Sequence, residues 1–256
     1  MKKLIPAMCL LLISALLLGT STYAWFSMNT AVTATGMQVK AQAESGIVIS
    51  NANQETWNAS ASAKDTAVAE LLPTSTSNFT KWYHSTSADA KDANAHQTAT
   101  GAYTEVSNGT SKYYSENVFY IKSATANALV KTLYIKSVTV TGADATHYLD
   151  KTLRVGIKMS TSETIMIFAP VSGATLTYYC NGSTSVSAID SSSSATTAIN
   201  TNTGVTSIPA SDNGLKATVY VWFEGEDAAC ISDNVTSTLD TITVTVQFTT
   251  DVPTTD

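Results

Sequence analysis

Leu153-Arg154-Val155-Gly156-Ile157-Lys158-Met159-Ser160 alternates without a break, with leucine, valine, isoleucine and methionine at the odd positions and arginine, glycine, lysine and serine at the even ones. Successive side chains of a strand point to opposite faces, so this period of two predicts a β-strand with one face on a core and the other in water. The pattern returns on both sides of it. Downstream, residues 215–223 (LKATVYVWF) read as an amphipathic strand, and 239–249 set Ile242, Val244, Val246 and Phe248 against Thr241, Thr243, Thr245 and Gln247. Upstream, Val32, Ala34, Met37, Val39 and Ala41 alternate with Thr33, Thr35, Gln38 and Lys40, while Gly36 shifts the phase as a bulge or bend would. The run Gly46-Ile47-Val48-Ile49-Ser50 is predicted as a short buried strand, joined to the preceding one by a hairpin around Glu44-Ser45.

Further strand character at 117–123, 129–141, 163–170 and 174–180, with tight-turn dipeptides at Asn181-Gly182 and Asn213-Gly214, brings the total to about eight to ten. Helix is confined to two short predictions: 63–72, ended by Pro73, and one turn over 145–151. Residues 51–101 and 183–211 are rich in Asn, Ala, Ser and Thr and read as long surface excursions. These elements predict an all-β fold, an antiparallel jelly-roll-like β-sandwich with short helices and long Ser/Thr-rich loops, formed as one domain by residues 25–256. The clean strands at the two ends of the chain are expected to pair within it.

The first 24 residues stand apart. Lys2 and Lys3 precede an apolar stretch from Leu4 to Leu18, too short for a confident membrane span and suited to a signal-peptide helix. Thr22 and Ala24 then give a small-x-small cleavage site before Trp25, which predicts a secreted, extracellular or wall-surface protein that meets the membrane only through its signal. Only 13% of the 256 residues are charged and Arg154 is the one arginine; the net charge is −6, or −8 once Lys2 and Lys3 leave with the signal. A nucleic-acid partner normally needs a basic patch, so none is expected.

Candidate chemistry is sparse. His84, His96 and His147 are scattered without a second ligand at metal spacing, and no phosphate loop, nucleophile elbow or zinc-protease motif is present, so neither catalytic nor metal-ligating residues are predicted. Glu224, Glu226, Asp227 and Asp233 concentrate carboxylates after a strand, the hard-oxygen chemistry calcium takes; as a structural turn, the same residues cap backbone amides. Cys180 and Cys230, the two cysteines left after signal cleavage, form one disulfide or remain two buried thiols. Trp57, Trp82 and Tyr83 stand out in the first excursion as aromatics that would stack on a sugar if exposed together. That is the reading as a monomeric adhesin or carbohydrate-binding module.

The block Thr22-Tyr23-Ala24-Trp25-Phe26-Ser27, with 32–39 after it, resembles the TasA and camelysin family of secreted proteins from Gram-positive bacteria, whose signal is processed by a SipW-type peptidase. Residues 221–227 with Cys230 and the closing Val246-Gln247-Phe248 are similar to a clostridial variant of that family. The resemblance implies a jelly roll that polymerises into filaments of the biofilm matrix by donating an N-terminal strand, with Trp25, Phe26, Val32, Ala34, Met37, Val39 and Ala41 on the donor. Met28-Asn29 stand where an acidic residue often follows the aromatic pair. A physical argument runs beside it: each large apolar side chain contributes about 1.5–3 kcal/mol when buried, so an alternating strand led by two aromatics has to pair, at home or on a neighbour's open edge. The partner expected is therefore the chain itself, as a homo-oligomer or filament, with matrix or surface components as further partners.

Overall fold

The computed structural model describes residues 32–33, 37–44, 46–51, 54, 56–63, 70–76, 79–80, 82–85, 103–105, 113–125, 132–143, 148–161, 166–171, 196–198, 206–208, 214–225, 230 and 242–251. In chain order the strands are β1 (Val32–Thr33), β2 (Gln38–Ala43), β3 (Ile47–Asn51), β4 (Ser60–Ser62), β5 (Glu70–Leu71), β6 (Tyr83–Ser85), β7 (Tyr103–Glu105), β8 (Ser115–Ser123), β9 (Thr132–Thr141), β10 (Leu153–Met159), β11 (Met166–Phe168), β12 (Thr196–Ala198), β13 (Thr206–Ser207), β14 (Leu215–Phe223) and β15 (Thr243–Thr249). A 3-10 turn at Tyr148–Thr152 lies where one helical turn was expected. The fold is an all-β sandwich. Sheet I runs β11-β10-β14-β8-β3 and sheet II runs β12-β9-β15-β2-β4, with β13 also on β9; β1 pairs β5 and β6 pairs β7 as two small ribbons.

The odd positions that the alternation marks as apolar meet between the sheets. Leu153, Val155, Ile157 and Met159 of β10 and Leu215, Ala217, Val219, Val221 and Phe223 of β14 face Val244, Val246 and Phe248 of β15 in one core. On β9 the buried residues are Leu133 and Ile135, then Val138 and Val140, a change of parity. The register explains it: Gln247 opposes Ser137 and Phe248 opposes Ile135, so Lys136 is an extra residue, and this bulge keeps both pairs on the core face.

Three expectations are corrected. First, β2 and β3 are not a hairpin. β2 belongs to sheet II and β3 to sheet I, so the chain at 44–46 arches across the sandwich, with Gly46 at φ 79°. A side chain there would resist that backbone conformation. Second, Glu70–Leu71, placed in a helix over 63–72, form a strand against Val32–Thr33; residues 64–69 lie outside the described set. Third, the even side of β10 is covered at Arg154 and Gly156, while Lys158 is half-buried and Ser160 exposed. Arg154 is wholly buried, and Gly156 lies beneath the Phe79 ring.

That cover is a second apolar layer on the outer face of sheet I, formed by Phe79, Trp82, Ile167, Tyr220 and Trp222 with Tyr114 at its margin. Thr74 ties the covering segment down: its N–H donates to Phe223 O at 3.0 Å and its carbonyl accepts from Gly225 N–H at 3.0 Å. Phe79 sits at φ 56°, a left-handed conformation that costs a non-glycine residue of order 1–3 kcal/mol. It is held there by its N–H bond to Thr76 Oγ1 at 3.0 Å and by its ring, stacked on Tyr220 at 5.1 Å. A cap over Gly156 is possible because an added Cβ would come within 2.4 Å of Phe79 Cε1.

Candidate functional site

The N-terminal strand is the element from which function was expected, and its core positions have places in this chain's own sheet. β2 lies between β15 and β4 and pairs β15 in parallel over six residues, from Gln38 opposite Thr243 to Ala43 opposite Phe248. Every other large-sheet pairing among the described strands is antiparallel. Parallel neighbours cannot be joined by a tight turn, so this contact is made between the two ends of the chain. Met37, Val39, Ala41 and Ala43 are buried in the main core, and Gln38 and Gln42 point to solvent. At the end of β2, Glu44 accepts from Lys136 Nζ at 2.7 Å and from Gln247 Nε2, pinning the strand to β9 and β15.

Upstream of Met37 the described residues are those of β1. β1 pairs β5 at two positions, Val32 with Leu71 and Thr33 with Glu70, outside both large sheets. Ala34 and, before β1, Thr22, Ala24, Trp25 and Phe26 lie outside the described residues, as do the signal helix and its cleavage site.

The acidic segment divides in a similar way. Glu224 is wholly buried and its Oε2 accepts from Trp222 Nε1 at 3.1 Å, while its backbone N–H donates to Thr152 O at 2.7 Å. A carboxylate committed to an indole N–H in a packed layer is a structural group. Glu226, Asp227 and Asp233 lie outside the described residues. Among the described residues no group of three or more His, Cys, Asp or Glu is arranged to hold a metal ion. Cys230 is buried in the main core and Cys180 lies outside the described residues.

Of the three aromatics proposed to bind a ligand together, Trp57 and Trp82 are separated, and the side chain of Tyr83 lies outside the described residues. Trp82 is buried, stacked on Tyr114 at 4.2 Å and edge-on to Trp222 at 5.2 Å. Trp57 is half-exposed elsewhere, under the ammonium of Lys122 at 4.1 Å from the ring centroid. A stacking platform that includes Trp82 therefore does not form. Burial, with the Glu116 carboxylate and Tyr114 adding to it, pushes the Tyr220 hydroxyl up to about 12. Tyr114 is raised for the same first reason, burial, and by Glu116. Both phenols stay protonated at neutral pH, as packing groups do.

Sequence reasoning missed the strand that completes the site's border. Asn58 bridges to Ile49 of sheet I, and two residues later β4 pairs β2 of sheet II, so residues 58–62 step from one sheet to the other and close that side of the sandwich. Along β4 runs a groove of about 440 Å3 lined by Asn51, Thr56, Asn58 and residues 60–63. Alanine and serine carry little strand propensity, which left this segment legible only as part of an excursion. No protein-family profile, curated protein or solved structure matches the chain.

Proposed function

We propose that the chain is a secreted, non-enzymatic structural subunit of a bacterial cell surface or biofilm matrix, a jelly-roll-like sandwich that assembles with copies of itself through the segment N-terminal to β2. One observation carries this reading: β2 completes the interior of sheet II beside the C-terminal strand, whereas the residues described before it, Val32 and Thr33, pair β5 outside both large sheets. Met37, Val39 and Ala41 fill the home core, so the donor is narrowed from residues 25–41 to residues 25–36. Trp25, Phe26, Val32 and Ala34 are then the apolar side chains offered to a neighbour. Such a contact is head-to-tail, does not close, and propagates a filament. The resemblance of residues 22–39 to the TasA and camelysin family supports the same reading.

Negative-stain microscopy and sedimentation of the mature chain, residues 25–256, test it. Filaments are expected from the mature chain, and deletion of residues 25–36 is expected to abolish them while leaving the far-UV circular dichroism of the body unchanged. Filaments that persist after the deletion, or a mature chain that remains monomeric at high concentration, would overturn the reading.

A further inference from the structure

Sheet II ends at β4, and among the described residues no strand lies on the far side of it. The hydrogen bonds fix which groups that edge presents. Ala43 N–H donates to Ala59 O at 2.8 Å and Ala63 N–H donates to Val39 O at 2.9 Å, with Ala41 opposite Ala61. Bonded positions alternate along an antiparallel ladder, so Ala59, Ala61 and Ala63 turn their backbone groups toward β2, and Ser60 and Ser62 turn theirs outward. Natural sheets blunt such an edge with lysine, proline or a bulge. Residues 59–63 contain none of these: they read Ala-Ser-Ala-Ser-Ala, a palindrome, with Ser60 and Ser62 exposed.

We propose that β4 pairs antiparallel with β4 of a second copy, about a two-fold axis through Ala61. The two-fold makes the edge its own complement, and the small, uncharged alanine and serine side chains let the two copies approach. Ser60 opposes Ser62 of the second copy and Ser62 opposes its Ser60, both as bonded pairs, for four backbone hydrogen bonds in all. Ala61 faces Ala61 as the close, unbonded pair with Cα atoms about 4.5 Å apart, a spacing that methyl side chains fit. The groove beside the edge, lined by alanine and uncharged polar residues, receives the second strand without burying a charge. Sheet II then continues from one copy into the other. This isologous contact uses neither β1 nor any residue before it, so it stands apart from the head-to-tail assembly proposed above and joins copies laterally.

Two measurements on the mature chain test it. Under mild oxidation, a mixture of Ser60→Cys and Ser62→Cys chains is expected to form a covalent heterodimer. Neither variant alone exceeds the background set by the wild-type cysteines, because like positions sit two residues out of register and beyond disulfide reach. In sedimentation, Ser62→Pro removes an outward N–H at each symmetric position while leaving the bonds to β2, and is expected to weaken reversible dimerisation at least about tenfold. Deleting residues 25–36 leaves the dimer intact, which separates failure of this proposal from failure of the filament. If Ser62→Pro disturbs the fold, cross-linking decides alone. Homotypic cross-linking as efficient as the mixture, no cross-linking in the mixture, or a folded Ser62→Pro chain with undiminished dimerisation would overturn the proposal.

Discussion

Replacing Trp222 by alanine is expected to lower the stability of the folded chain by about 3–5 kcal/mol, in the range found for truncating a large buried aromatic. The indole is fully buried on the outer face of sheet I, edge-on to Trp82 at 5.2 Å and to Phe79 at 6.1 Å. Its Nε1–H also donates to the buried Glu224 carboxylate. Trp222→Phe separates the two contributions. It keeps a ring in the layer but removes that donor, so about 1–3 kcal/mol of the loss is expected to remain. Urea unfolding of the two variants beside the wild type checks both values. A Trp222→Ala chain as stable as the wild type would mean that the outer layer does not pack as described.

Gly156→Val is expected to cost about 1–3 kcal/mol through overpacking. Its Cβ would stand 2.4 Å from Phe79 Cε1 and 2.9 Å from Trp222 Cζ3. The ring of Phe79 must leave, and with it goes the contact that offsets the left-handed backbone at that residue. A double-mutant cycle with Phe79→Ala isolates this clash. Once the ring is absent, Gly156→Val is expected to cost less by an interaction of about 0.5–3 kcal/mol. Additive losses would contradict a Phe79 cap over Gly156.

These two residues also show how far the sequence could be read. The core face of β10, β14 and β15 was legible because each strand alternates, and the odd positions of β10 and β14 and the even positions of β15 meet between the sheets. The first half of the second face of β10, Arg154 and Gly156, was misread as wet because alternation reports only the contrast between neighbours, and a remote segment can cover the polar-looking side. Arg154, with its Nη1 donating to Lys151 O at 2.8 Å and Leu153 O at 3.0 Å, holds inside the protein a charge that a local reading assigns to solvent. A signal was nevertheless available on β14. Val219-Tyr220-Val221-Trp222-Phe223 is an unbroken apolar run, as in strands buried on both faces, and two aromatics on its even positions require a cover.

The arch at 44–46 was hidden for a different reason. Two short strands with odd-numbered apolar residues around a turn give the same pattern whether they pair side by side or face one another across a core. Only the long-range partners distinguish the two: β3 lies against β8, from Ile47 opposite Ser123 to Asn51 opposite Phe119, whereas β2 lies against β15. The expectation that the ends of the chain pair within one sandwich was legible because strands near both ends are cleanly amphipathic. Their parallel direction was not, since periodicity carries no information on polarity. For the functional reading, the expected donor strand divides at Met37: Met37 and the alternate residues after it are built into the core, and residues 25–36 are the part offered for assembly in the proposed function.

The account turns on which subunit β2 completes. Lys40 and Thr245 are register partners on β2 and β15, so a Lys40→Cys, Thr245→Cys chain can be locked by oxidation. Assembled from an equal mixture of isotopically labelled and unlabelled mature chains, then digested and analysed by mass spectrometry, the cross-linked peptides report whether the two strands came from one chain. The account predicts that both halves of each 40–245 cross-link carry the same label, whether the protein is monomeric or in filaments. Mixed-label cross-links in the filaments would show that β2 itself is exchanged between subunits, and would contradict it.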